Sequence, residues 1–241
     1  NNIGEGISRA VDERMKSEHF RTELITNVSH DIKTPLTSII NYVDLLSKEK
    51  PENEKMREYI DVLSRQSARM KKLIDDLIEA SKASTGNLSV NLERCELGVL
   101  LEQTAGEYGE KLGKAGLTLV LTKPEEAVTV MADGRHMWRV FDNLMNNACK
   151  YAQPGTRVYL SLEKRENRAL VIFRNISRSQ LNISGDELME RFVRGDSSRN
   201  TEGSGLGLSI ARSLVQLQNG QMELSVDGDL FKVILSFCTV Q

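Results

Sequence analysis

Along the first third of the chain, apolar residues recur at helical spacing. From about Ile7 to Ser47 they come every three or four positions, and the only internal helix breaker is Pro35. This predicts one long helix kinked at Pro35, because a proline inside a helix cannot donate an N–H to the carbonyl of Asp31. Ile25, Val28, Ile32, Ile39 and Val43 would form its apolar stripe, with His30 and Thr34 on the opposite, solvent-facing side and Asp31 on the flank. After the polar stretch Lys48 to Asn53, residues Met56, Ile60, Leu63, Ser67, Met70, Ile74 and Leu77 alternate steps of four and three, a heptad seam. Two such helices joined by a short turn make a hairpin with apolar surface left over. Pairing with a second copy into a four-helix bundle is expected; packing on the C-terminal domain is the other solution.

Near Ala83-Ser-Thr-Gly-Asn the texture changes to short alternating segments, so a new domain is expected to begin near Leu88. Strands are predicted at Leu88–Glu93, Leu117–Leu121, Val128–Ala132, Arg157–Glu163, Ala169–Asn175, Gln221–Val226 and Phe231–Phe237. Helices are predicted at Leu97–Lys114, Arg135–Tyr151 and Leu206–Gln218. Strands alternating with helices and closing on a hairpin turned by Asp227-Gly228-Asp229 give an α/β domain, a mixed sheet with helices packed on it. The fold class expected overall is α+β: a helical hairpin followed by an α/β sandwich.

Composition narrows the function classes. With 241 residues and 39% hydrophobic content there is room for two domains with proper cores. A net charge of −2 and a pI near 6.1, without a dense basic stripe, argue against nucleic acid as a partner. Cys95, Cys149 and Cys238 lack metal-ligand spacing and leave an odd thiol, which fits a reduced, cytoplasmic setting. No run reaches the roughly 18 to 20 apolar residues of a membrane span. The chain starts without Met in an already helix-like pattern, as if cut from a longer protein, so any membrane attachment is expected only through upstream segments.

Three constellations suggest chemistry. The first is His30 beside Asp31, an imidazole with a carboxylate able to orient it or take its proton, with Thr34 one turn on. The second is the polar stripe Asn143, Asn147 and Lys150, with Tyr151 beside it. Its carboxamides and ammonium could hold a hydrated Mg²⁺ and the phosphates it bridges, and Tyr151 could cover a nucleobase; a solvated helix edge would show the same pattern. The third is Gly203-Ser-Gly205-Leu206-Gly207 running into a helix, a backbone suited to close approach of an anion at a helix N-terminus. A dinucleotide-binding fingerprint does not fit, since no strand immediately precedes the turn, and a GxxxxGK[ST] loop is absent. Between the last two lies Asn175 to Glu202, polar with one short helical pattern at Gly185–Val193, read as a lid that carries Arg194 and Arg199; an irregular surface loop is the alternative.

Taken in order, these stretches resemble the sensor histidine kinases of two-component systems. Ser29 to Leu36 looks like their phosphoacceptor box, Asn143 to Tyr151 like the N box, Glu190 to Phe192 like the F box and Gly203 to Gly207 like a glycine box. The resemblance implies a linker at 1–18, a dimerisation and histidine phosphotransfer hairpin at 19–84 and an ATP-binding domain at 85–241. It implies His30 as phosphoacceptor, Asp31 as its general base and Thr34 as an aid to water attack on a phosphorylated partner. Asn147 would be the principal Mg²⁺ ligand with Asn143 in support, Lys150 would meet phosphate and Tyr151 adenine. Gly203, Gly205, Leu206 and Gly207 would shape the phosphate-facing hinge, and Arg194 and Arg199 would contact phosphate or link the domains. The implied cofactors are ATP and Mg²⁺. The implied partners are a second copy and the receiver domain of a response regulator, and the full-length protein would sit in a bacterial inner membrane. One departure stands out: Asn175, in Phe173-Arg-Asn-Ile-Ser177, occupies the place of the family's adenine-binding Asp, and no glycine follows. A dimeric scaffold or phosphatase with impaired nucleotide binding is the alternative that this departure suggests. His19 and His136 lack the setting of His30 and are read as structural or surface residues.

Overall fold

The computed structural model describes residues 29, 32–84, 88–181, 185–188 and 205–240, and the chain divides into two compact units at Leu88/Ser89.

In the first unit, helix α1 (residues 32–48) runs without interruption through Pro35, and residues 49–53 lead into α2 (Glu54–Ser84). The two are antiparallel, because Lys33 near the start of α1 reaches Asp75 in the last third of α2 with Nζ 2.7 Å from Oδ1. The expected stripe on α1 needs correction. Ser29, Leu36 and Val43 are the buried row, while Ile32 and Ile39 remain 42% and 48% exposed. On α2 the row Ile60, Ser67 and Ile74 is buried, and Met56, Leu63 and Met70 are each about half exposed. In this pair only one of the two rows of each seam turns toward the other helix, so each helix buries every seventh residue and leaves the second row exposed. Val43 and Ile60, Leu36 and Ser67, and Ser29 and Ile74 lie at matching distances from the turn, as three internal layers. No helix among the described residues is long and apolar enough to cross a membrane.

The second unit carries β1 (Glu93–Glu96), α3 (Leu97–Lys114), β2 (Thr118–Thr122), β3 (Thr129–Ala132) and α4 (Gly134–Tyr151). There follow β4 (Arg157–Arg165), β5 (Arg168–Ile176), α5 (Gly185–Leu188), α6 (Gly207–Leu217), β6 (Gln221–Asp227) and β7 (Leu230–Cys238). Five strands form a mixed sheet in the order β2-β4-β5-β7-β6, parallel only between β2 and β4. β1 and β3 make a separate two-stranded antiparallel sheet, which a single-sheet reading did not anticipate. The first strand also lies further along than Leu88–Glu93, because pairing with β3 sets Glu93 opposite Ala132 and Glu96 opposite Thr129. Glu96 then ends the strand by capping α3, accepting the N–H groups of Gly98 and Val99.

Along β5, Ala169, Val171, Phe173 and Asn175 share one buried face, and Phe173 packs on Phe141 of α4 with ring centroids 5.5 Å apart. Met137, Val140, Leu144 and Ala148 on α4 are all buried, and α4 packs on α3 and α6. Tight backbone approaches fix the far edge: a Cβ on Gly185 would fall 2.2 Å from the Leu224 carbonyl oxygen, and one on Gly220 2.4 Å from the Phe237 ring. The β6–β7 hairpin closes between Asp227 and Leu230, with Gly228 at φ +58°.

Candidate functional site

Helix α4 is held in three places. At its start Asp133 accepts the N–H groups of Arg135, His136 and Asn91, while its own N–H donates to Gln218 Oε1 at 2.8 Å. Burial pushes the Asp133 carboxyl up, but the N–H donors from Asn91, His136 and Arg135, with the nearby imidazole of His136, outweigh it and lower its pKa. In the middle, the Tyr108 hydroxyl of α3 donates to the Asp142 carboxylate, and burial together with that bond drives the phenol well above its ordinary range. At its end, Arg178 N–H donates to the Tyr151 carbonyl at 2.8 Å and Gln153 N–H to the Ile176 carbonyl at 2.8 Å, so the last turn of α4 is tied to the end of β5.

On this fixed helix Asn143 is buried, Asn147 and Tyr151 are half-buried and Lys150 is exposed. Asn143 Nδ2 is fully buried and finds no hydrogen-bond partner among the described residues. The side chain lies against the first residue of α6, since a Cβ on Gly207 would sit 3.6 Å from Asn143 Oδ1. Leu206, the cap of α6, offers no capping side chain, and Gly205 just before it has φ +69°. The N-terminus of α6, positive in its macrodipole, therefore meets a buried amide whose Nδ2 has no acceptor among the described residues. That arrangement suits an anion bearing several oxygens, and the Asn147 oxygen one turn along suits a hard cation shared with it. The residues present thus fit a magnesium-bound polyphosphate.

The structure brings Asn143, Asn147, Lys150, Tyr151, Asn175, Gly205, Leu206 and Gly207 together on α4, the end of β5 and the start of α6. Thr34 lies exposed on α1, in the other unit. His30, Asp31, Glu190, Phe192, Arg194, Arg199 and Gly203 lie outside the described residues. His136 has a structural setting, its Nε2 3.1 Å from the Ser89 carbonyl. Burial raises the pKa of Cys149 against the opposing pull of Lys111, which keeps it a thiol. Reading the sequence missed Asp133, whose place just before the apolar periodicity is an N-cap signal, and Ser177, buried two residues beyond Asn175.

Residues 20–86 match the family model described as the His Kinase A (phospho-acceptor) domain, and residues 132–238 match the histidine kinase-, DNA gyrase B- and HSP90-like ATPase. The sensor protein kinase WalK of Staphylococcus aureus is 27% identical over 224 residues, covering 90% of this chain and 54% of the relative; the WalK of strain USA300 is matched at the same identity over 36% of its length. The chain thus spans about half, or less, of the curated relatives it matches. Among solved structures, full-length ShkA in complex with AMPPNP aligns over 90% of this chain and 46% of its own, with TM-score 0.76 and 20% identity. The Acinetobacter baumannii histidine kinase AdeS aligns over 88% of this chain and 98% of its own, with TM-score 0.59 and 17% identity, which shows the shared fold. A match to the phospho-acceptor domain followed, in that order, by a match to the histidine kinase-type ATPase domain makes the chain the catalytic portion of a two-component sensor histidine kinase.

Proposed function

We propose that this chain transfers the γ-phosphoryl group of ATP to His30 and passes it on to an aspartate in the receiver domain of a response regulator. The observation that carries the nucleotide half of the reading is the buried Asn143 amide, whose Nδ2 has no hydrogen-bond partner among the described residues, set against the N-terminus of α6. The ATPase family match and the AMPPNP bound by the structurally similar ShkA support it. The hairpin at 19–84 is the phosphotransfer and dimerisation domain and 85–241 the catalytic domain.

In the step itself, a neutral imidazole, with an ordinary pKa of about 6.5, presents an unprotonated ring nitrogen at neutral pH. That nitrogen forms the N–P bond as the bond from the γ-phosphorus to the bridging oxygen breaks and ADP leaves. Asp31 holds the N–H of the other ring nitrogen and, as general base, takes that proton as the N–P bond forms. Asn147, with Asn143, would hold Mg²⁺, which when bound neutralises charge on the triphosphate. Lys150 meets phosphate, Tyr151 lies toward the base, and Gly203, Gly205, Leu206 and Gly207 let the backbone close on the phosphates. Arg194 and Arg199 would contact phosphate or link the two domains. In the reverse direction of signalling, Thr34 positions water for dephosphorylation of the partner.

Dimerisation follows from the rows left uncovered. Ile32, Ile39 and Leu46 on α1 and Met56, Leu63 and Met70 on α2 are all exposed in the single chain, again at matching distances from the turn. Three further apolar layers of that kind complete a four-helix bundle when a second hairpin docks. The membrane would be reached through segments upstream.

Incubation with γ-labelled ATP and Mg²⁺ tests the reading. Wild-type protein should acquire acid-labile phosphate, and His30→Ala should acquire none while still binding nucleotide. No label on folded wild-type protein that also binds no nucleotide would favour the scaffold or phosphatase alternative, and ATP turnover unaffected by His30→Ala would refute histidine transfer.

A further inference from the structure

At the end of β5 the buried face continues past Phe173 with two polar residues, Asn175 at 7% and Ser177 at 8% exposure. Both lie where the strand is tied to the last turn of α4: Ala152 bridges Ser177 and Arg178 N–H donates to the Tyr151 carbonyl. The other end of the polar stripe is Asn143, against the start of α6. From Asn143 to Tyr151 is eight residues, an axial distance of roughly 12 Å, about the reach of an extended nucleotide from terminal phosphate to base. With phosphates at Asn143 and α6, the base lies at the end where Asn175 and Ser177 are buried.

We infer that the Asn175 carboxamide, assisted by the Ser177 hydroxyl, reads the base and accepts a 6-oxo purine as readily as a 6-amino purine. This rests on the nucleotide reading proposed above. An amide has one acceptor oxygen and an NH₂ donor, and rotating it by half a turn exchanges them. Facing adenine, Oδ1 accepts from the 6-amino group and Nδ2 donates to N1. Facing hypoxanthine, Nδ2 donates to O6 and Oδ1 accepts from N1–H. Both pairings make two bonds, so neither base leaves a buried group unpaired. A carboxylate only accepts, and a keto oxygen at position 6 would meet it as a second acceptor, the kind of unpaired contact that supports strong discrimination. Ser177 Oγ accepts the Ser179 N–H at 3.4 Å, and its rotating hydroxyl can donate to or accept from either base edge.

The test is direct binding of ATP and ITP with Mg²⁺ to the full chain, by displacement of a fluorescent ATP analogue. ITP differs from ATP only at the edge in question. Wild-type protein should bind the two within about threefold of each other. Asn175→Asp should prefer ATP by at least tenfold, and Asn175→Leu should weaken both by a similar factor, with circular dichroism and thermal midpoint verifying folded protein. Wild-type protein that prefers ATP tenfold or more overturns the inference, as does an Asn175→Asp variant with an unchanged ratio. Binding of neither nucleotide by folded wild-type protein overturns the nucleotide reading itself, and the inference with it.

Discussion

Replacing Asp133 should show how much of the nucleotide-binding domain depends on the start of α4. Its Oδ1 accepts the N–H groups of Arg135 and His136 and its Oδ2 that of Asn91, the last at 3.0 Å. Removing an N-cap side chain costs about 1 kcal/mol, and breaking a further bond to a charged acceptor costs about 1.5 kcal/mol more. Asp133→Ala should therefore destabilise the domain by about 2.5 kcal/mol, a fall of roughly 5 to 10 °C in its thermal midpoint for a unit of this size. Asp133→Asn keeps one acceptor oxygen, so it should retain the cap and lose only the Asn91 bond, about half the effect. The pH dependence has a definite sign. Because the folded carboxyl has a lowered pKa, its contribution is fully present above the unfolded value of about 3.9 and is lost as pH falls through the folded value. Wild-type protein should lose stability in that acid window, and Asp133→Asn should lose less there. Calorimetry on the full chain, following the transition of the second unit from pH 3 to 7, provides the assay. A midpoint shift under 2 °C for Asp133→Ala, or an acid limb in Asp133→Asn as steep as wild type, would refute the reasoning.

Other expectations are simpler to state. Asn147→Ala should abolish detectable Mg²⁺-dependent nucleotide binding with the thermal midpoint nearly unchanged, since the side chain is half-buried on a helix already fixed along its length; a binding titration measures it. Leu63→Glu with Met70→Glu should turn a dimer into a monomer by light scattering while helicity persists, because both side chains face outward in the single chain. Gly220→Ala should cost about 1 to 3 kcal/mol in chemical denaturation, since the new Cβ would be driven into the Phe237 ring.

Periodicity made the helices readable. Leu97–Lys114 is as expected, and α4 begins one residue earlier than its apolar pattern because Asp133, not Gly134, is the cap. Which seam row turns inward was not readable, because Ile32 and Leu36 are equally apolar and the pattern of one helix does not say which row its partner covers. The displacement of the first strand has a similar origin: alternation from Leu88 to Glu93 suggests a strand, but pairing with β3 and capping by Glu96 set where it forms. At the site, the carboxamides were visible as a stripe on α4. The orphaned Asn143 amide and the burial of Ser177 were not, because both depend on elements far away in the chain.

The three ties on α4 have a thermodynamic consequence. A helix anchored at Asp133, Tyr108 and Tyr151 has already given up its conformational freedom during folding, so a ligand lying along it has little more to order there. The entropy lost on binding is then concentrated outside α4, and a variant that loosens the helix should weaken affinity through a more unfavourable binding entropy while the contacts, and so most of the enthalpy, are kept.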